Sequence, residues 1–120
     1  MNGCGKAYEN YLRGKALMEN GDYRAAMRYF KVSSEQDAHF KTYECMHQCH
    51  LSLNEPDKAF SCIETAYKLN PRSDKTAVEY SGMLLYYGRK DEAEKILQET
   101  ICRNPVYKPA EKKLNDLRKL

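Results

Sequence analysis

Leu17-Met18-Glu19-Asn20-Gly21-Asp22-Tyr23-Arg24-Ala25-Ala26-Met27-Arg28-Tyr29-Phe30 is the stretch that decides the fold. Gly21 stops one helical pattern, because glycine tolerates the left-handed backbone that ends a helix. Asp22 can cap the next helix, in which Tyr23, Ala26, Met27 and Phe30 recur at spacings of three and four. Upstream, Tyr8, Tyr11, Leu12 and Leu17 give a first helix over residues 7–20. The unit is two helices, A and B, folded back on each other across a tight turn.

This outline returns twice. The pairs Asn70-Pro71 and Asn104-Pro105 lie 34 residues apart, and a slide of 33 or 34 aligns the columns around Ala26, Ala59 and Ala93. Four residues after each alanine stand Phe30, Ile63 and Leu97. Nine before stand Leu17, His50 and Leu84, and five before stand Gly21, Asn54 and Gly88. Pro56 falls at the first turn of the second B helix, where proline is tolerated. Pro71 and Pro105 each follow a B helix, which cannot continue through them. Residues 107–120 form one more amphipathic helix, with Tyr107, Ala110, Leu114 and Leu117 on one face. No alternating apolar–polar run bounded by hairpin turns signals a strand.

With these residues in register, the chain resembles the tetratricopeptide-repeat family from about Ala7 to Pro105. The small residue in helix A is matched by Gly14 and Ser81, the turn by Gly21-Asp22-Tyr23, and the closing proline by Pro71 and Pro105. Departures are His47 at the small position of the second copy, Asn54 at its turn, and Ala38 for the first closing proline. Asn10, Tyr43 and Ala77 stand where the family has its helix A aromatic. The resemblance implies an all-α fold: a right-handed superhelix (an α-solenoid) of three hairpins plus a C-terminal capping helix. Residues 1–120 are expected to form one domain, with repeats over about 7–37, 38–72 and 73–106 and the cap over about 107–120. Met1 and the closing helix favour a complete unit over one end of a longer array.

The resemblance also implies a function: a protein-interaction module, serving as adaptor, co-chaperone or assembly factor, that holds a peptide or protein segment in a concave groove lined by the A helices. The groove positions carried over are Tyr8, Tyr11, Lys15 and Met18 from the first A helix. The second gives Lys41, Glu44, Gln48 and Leu51, and the third Lys75, Val78, Glu79, Leu85 and Tyr86. Aromatic area beside adaptable polar groups suits peptide binding. Some family members grip acidic chaperone tails with two lysines, two asparagines and an arginine. Here those positions hold Tyr11, Lys15, Cys45, Lys75 and Glu79, so only Lys75 agrees and Glu79 reverses a charge. A heat-shock chaperone C-terminal tail is therefore disfavoured, and the mixed signs argue against a simple acidic or basic peptide.

Other chemistries are weaker. Cys45-Met46-His47-Gln48-Cys49-His50 offers zinc-type ligands one turn apart, yet no second ligand pair exists to complete a site. The repeat explains His47, Cys49 and His50 as packing between helices A and B. No metal or cofactor is expected, and no catalytic motif occurs: Gly3-x-Gly5 lacks a phosphate-loop spacing, and Ser81-Gly82 is helix interior. Asp91-Glu92 starts a B helix, where acids complement the dipole. His39 falls at a repeat junction with no catalytic partner.

Charged residues make up 31% of the 120-residue chain and apolar ones 42%. The net charge of +3 resides wholly in residues 107–120, whose five basic side chains outnumber two acidic ones. A solvated helix face accounts for that excess, so nucleic acid is disfavoured as a partner. No stretch reaches the roughly 18 apolar residues of a membrane span. Five cysteines at irregular spacing, and no apolar leader, predict a cytoplasmic protein with most cysteines buried. The competing function is self-association as a structural spacer, a homodimer formed through Tyr8, Tyr11, Tyr86 or Leu117.

Overall fold

The computed structural model describes residues 3–120, with side chains from Gly5 onward, so Cys4 lies outside the described side chains. Seven helices follow one another, and no strand occurs among the described residues: α1 (Gly3–Glu19), α2 (Tyr23–Gln36), α3 (Phe40–Ser52), α4 (Pro56–Leu69), α5 (Asp74–Tyr86), α6 (Lys90–Arg103) and α7 (Lys108–Arg118). The chain divides into two compact units, Met1–Leu69 and Asn70–Leu120. Helices α1 to α4 make two hairpins in the first, and α5 to α7 make one hairpin and its closing helix in the second. Helix α1 starts at Gly3, four residues before the start that the apolar spacing predicts at residue 7.

Each hairpin turns the same way for the same reason. Gly21, Asn54 and Gly88 have φ of 83°, 58° and 77°, the left-handed region predicted for those columns. The amides of Asp22, Glu55 and Arg89 then bond back to the carbonyls of Leu17, His50 and Leu84 at 2.9, 2.8 and 2.8 Å. The amides of Gly21, Asn54 and Gly88 reach Met18, Leu51 and Leu85, each at 3.0 Å. These paired bonds are the Schellman arrangement that satisfies the last carbonyls of a helix. The columns seen in the sequence are thus the donors and acceptors of three equivalent turns.

The B helices start cleanly. The Asp22 carboxylate accepts the Ala25 amide, and Pro56 is the first residue of α4. Acids Asp91 and Glu92 open α6, and the Glu92 carboxylate accepts from Nε and Nη2 of Arg89, each at 2.8 Å.

In the first unit the core gathers Ala26, Phe30, Cys45, Met46, Cys49 and Cys62, with Tyr11, Leu17 and Met18 packed against it. A β-carbon on Gly14 would come within 2.6 Å of the Phe30 ring, so the small residue lets α1 and α2 close on each other. In the second hairpin His47 takes that place and stays almost fully buried. Its Nδ1 donates to the carbonyl of Ala59 at 2.9 Å, which satisfies a ring nitrogen that burial removes from water.

In the second unit Ala93, Leu97, Leu84 and Ala77 are fully buried, and Ser81 satisfies its hydroxyl on the Ala77 carbonyl. Asp74 at the head of α5 accepts from Arg103 at 2.9 Å and Asn104 at 2.8 Å, fastening the end of α6 to the start of α5. Helix α7 buries Ala110, Leu114 and Leu117. Leu117 is 1% exposed, so it belongs to the core and cannot supply the self-association surface the sequence suggested.

Candidate functional site

Helix α1 presents Tyr8, Tyr11, Lys15 and Met18 at spacings of three, four and three, hence on one face. Tyr8 is 62% exposed and stacks on Tyr11, with ring centroids 6.3 Å apart and planes 20° apart. Tyr11 is half-buried and leans on Phe30 at 6.1 Å. Burial first, then Cys45, which shares a hydrogen bond with it, push the Tyr11 hydroxyl up to about 12. Tyr11 therefore stays protonated and fixed to the core, while Tyr8 offers its ring to solvent.

The two tyrosines open onto a cavity of about 320 Å³ shared by the start of α1, the end of α2 and the start of α3. Asp37, His39 and Lys41 complete its accessible lining, and Thr42, 2% exposed, adds to the buried part. Ala7 and Ser33 form its buried wall, tied together by the Ser33 hydroxyl donating to the Ala7 carbonyl at 2.7 Å. His39 caps α3 through Nδ1, which accepts the Lys41 amide at 3.2 Å. Of the predicted groove residues, Tyr8, Tyr11 and Lys41 meet here. Asp37, His39 and Thr42 were not anticipated, since they lie in or beside a connection where helical periodicity carries no signal.

The remaining predicted residues take other places. In the first unit Lys15 is half-buried, Gln48 and Leu51 are exposed, Met18 packs on the core, and Glu44 is buried. In the second unit Lys75 and Tyr86 are exposed, Val78 and Leu85 are half-buried, and Tyr86 meets Tyr87 edge-on at 5.0 Å. Glu79 is half-buried, with one carboxylate oxygen shielded from solvent and the side chain engaged within the fold.

The Cys/His cluster of α3 is packing. Cys45, Cys49 and His47 are buried, and burial raises the thiols of Cys49 and Cys62 to about 11. A zinc ligand must be a thiolate, so each would lose affinity to its own burial. Among the described residues no three His, Cys, Asp or Glu side chains converge on a point where an ion could sit. His50 instead donates to Glu55 at 2.9 Å, and Arg24 meets the other Glu55 oxygen at 3.1 Å; these bonds hold that carboxyl below its usual range. No described helix is long and apolar enough to cross a membrane.

A family model of the tetratricopeptide repeat matches residues 10–35. No curated protein matches the chain in sequence. Among solved structures, the second tetratricopeptide domain of human RPAP3, in complex with an HSP70 peptide, has a TM-score of 0.85 at 18% identity, covering 99% of this chain and 100% of that one. The first such domain of Spaghetti (RPAP3), bound to an HSP90 peptide, has a TM-score of 0.83 at 17% identity, covering 96% and 94%. The Yersinia enterocolitica type III secretion chaperone SycD, with a peptide of the translocator YopD, has a TM-score of 0.77 at 18% identity, covering 92% and 91%.

The argument against a chaperone-tail partner is not borne out by these likenesses, since two of the similar domains hold chaperone peptides. It rested on four mismatches in five positions, Glu79 among them, and Glu79 is engaged within the fold. Likeness at this identity carries the fold and not the ligand. The chain holds a tetratricopeptide repeat at residues 10–35 and has the tetratricopeptide-repeat fold, three helical hairpins closed by a seventh helix.

Proposed function

We propose that this chain is a protein-interaction module, an adaptor, co-chaperone or assembly factor, that grips a peptide or protein segment on the faces of its A helices. One observation carries the reading: Tyr8, a large aromatic residue, is held exposed by stacking on the immobilised Tyr11 at the mouth of a cavity. Aromatic anchors that are already fixed lose little freedom on binding, so more of the contact energy appears as affinity. Similar folds that hold peptides support the same reading. The cytoplasm fits it, with three buried cysteines unpaired.

The test is a lysate capture with the wild-type chain beside a Tyr8→Ala, Tyr86→Ala double variant. Both side chains are more than 60% exposed, so the variant keeps its fold. A protein retained by the wild type and lost by the folded variant supports the module. Capture of nothing, or of the same proteins by both, together with concentration-dependent size in solution, moves the reading to a self-associating spacer.

A further inference from the structure

The cavity of the first unit is polarised in a way the fold does not need. Asp37 is the C-cap of α2, and Lys41 stands in the first turn of α3; both line the cavity. A helix is negative at its carbonyl end and positive at its amide end. Each residue therefore sits on the helix end of its own sign, where it destabilises the helix it belongs to. Neither the Asp37 carboxylate nor the Lys41 ammonium forms a hydrogen bond or ion pair among the described residues. Between helices, Asp at a carbonyl end and Lys at an amide end sharpen the local field rather than quench it. His39 adds a donor, because its Nδ1 already accepts the Lys41 amide and its proton is on Nε2.

We infer that this cavity takes a dipolar peptide segment: an apolar or aromatic side chain against Tyr8 and Tyr11, an acidic group toward Lys41, and a basic group toward Asp37. The inference rests on the reading of the chain as a peptide-gripping module and names the chemistry of its occupant. A uniformly acidic segment gains Lys41 and meets Asp37; a uniformly basic one gains Asp37 and meets Lys41. Only a segment with both signs gains twice, and its cation can also lie over the exposed Tyr8 ring. At about 320 Å³ the cavity falls at the lower end of the roughly 300–1,000 Å³ typical of ligand sites, room for one side chain and its flanking backbone.

The experiment titrates the full isotope-labelled chain with three otherwise identical short peptides whose cores are Glu-Leu-Lys, Glu-Leu-Glu and Lys-Leu-Lys, following backbone amide shifts at low salt. The Glu-Leu-Lys core should bind about fivefold tighter than either other, a difference that added salt erases, with shifts centred on Tyr8, Tyr11 and residues 37–42. Asp37→Asn should move the preference to Glu-Leu-Glu, and Lys41→Gln should move it to Lys-Leu-Lys. Equal affinities, a uniformly charged core that wins in the wild type, or shifts centred elsewhere would overturn the inference while leaving a peptide-binding module in place. Silence from all three peptides overturns it too, and the module reading is then decided separately by the capture experiment.

Discussion

The ring of Phe30 lies 2.6 Å from the point where a β-carbon on Gly14 would stand, and Phe30 is fully buried. That contact sets the separation of α1 and α2, and with it the seat of Tyr11, which leans on the same ring. We predict that Gly14→Ala destabilises the chain by about 1–2 kcal/mol in urea unfolding, because overpacking outweighs alanine's better helix propensity. Gly5→Ala, with nothing within 4 Å, should leave stability unchanged or slightly raised. Equal effects of the two would refute this account of the hairpin.

The turns make a second prediction. Gly88 has a φ of 77°, so Gly88→Ala should cost about 1 kcal/mol, the penalty of a left-handed residue with a side chain. Asn54 already bears part of that strain at a φ of 58°, so Asn54→Gly should be neutral or stabilising. Chemical denaturation of both variants checks the pair. A loss on Asn54→Gly would mean that its side chain matters beyond the backbone.

These turns were legible in the sequence because Gly21, Asn54 and Gly88 each advertise one backbone need at one spacing. The alanine columns were legible for the same reason: only a small side chain fits where two helices touch. The binding face was legible only in part. Spacing placed Tyr8 and Tyr11 on one face, but Glu44 was carried over as groove-facing from the family resemblance, and the fold buries it. The cavity's Asp37 and His39 sit in a connection, where no periodicity points to a common surface. What did mark Asp37, as it marks Lys41, is a charge on the wrong helix end, visible only once the helix boundaries are known.

Buried His47 makes stability depend on pH. Burial lowers its pKa from the ordinary 6.5, only partly offset by the bond to the Ala59 carbonyl and by Glu44; His50 lowers it further. Below about pH 6.5 the unfolded chain therefore binds more protons than the folded one, so stability is complete above that pH and falls as acid is added. We predict a lower urea midpoint at pH 5.5 than at pH 7.5, and a smaller drop over that range in His47→Gln. The lowered carboxyls of Glu55 and Asp74 act only nearer their own ordinary values of 4.5 and 3.8, outside that window. A wild type as stable at pH 5.5 as at pH 7.5 would contradict this role.

The cysteines should react in order of exposure. Cys49 and Cys62 are buried with thiols at about 11, and Cys45 is buried beside them, whereas Cys102 is exposed. Alkylation of the folded chain at neutral pH should modify Cys102 well before those three, since the thiolate is the reactive form. Peptide mapping after timed quenching reads the order. Early labelling of Cys49 would show that the second hairpin opens readily.

The central claim is that the face bearing Tyr8 holds a partner. A photo-reactive benzoylphenylalanine at position 8, in cells, tests it most directly, with a second chain carrying the same group at position 95, an exposed site on α6. The account predicts a crosslinked product with a different protein from position 8 and none of that product from position 95. No product from position 8, or the same product from both positions, would contradict it.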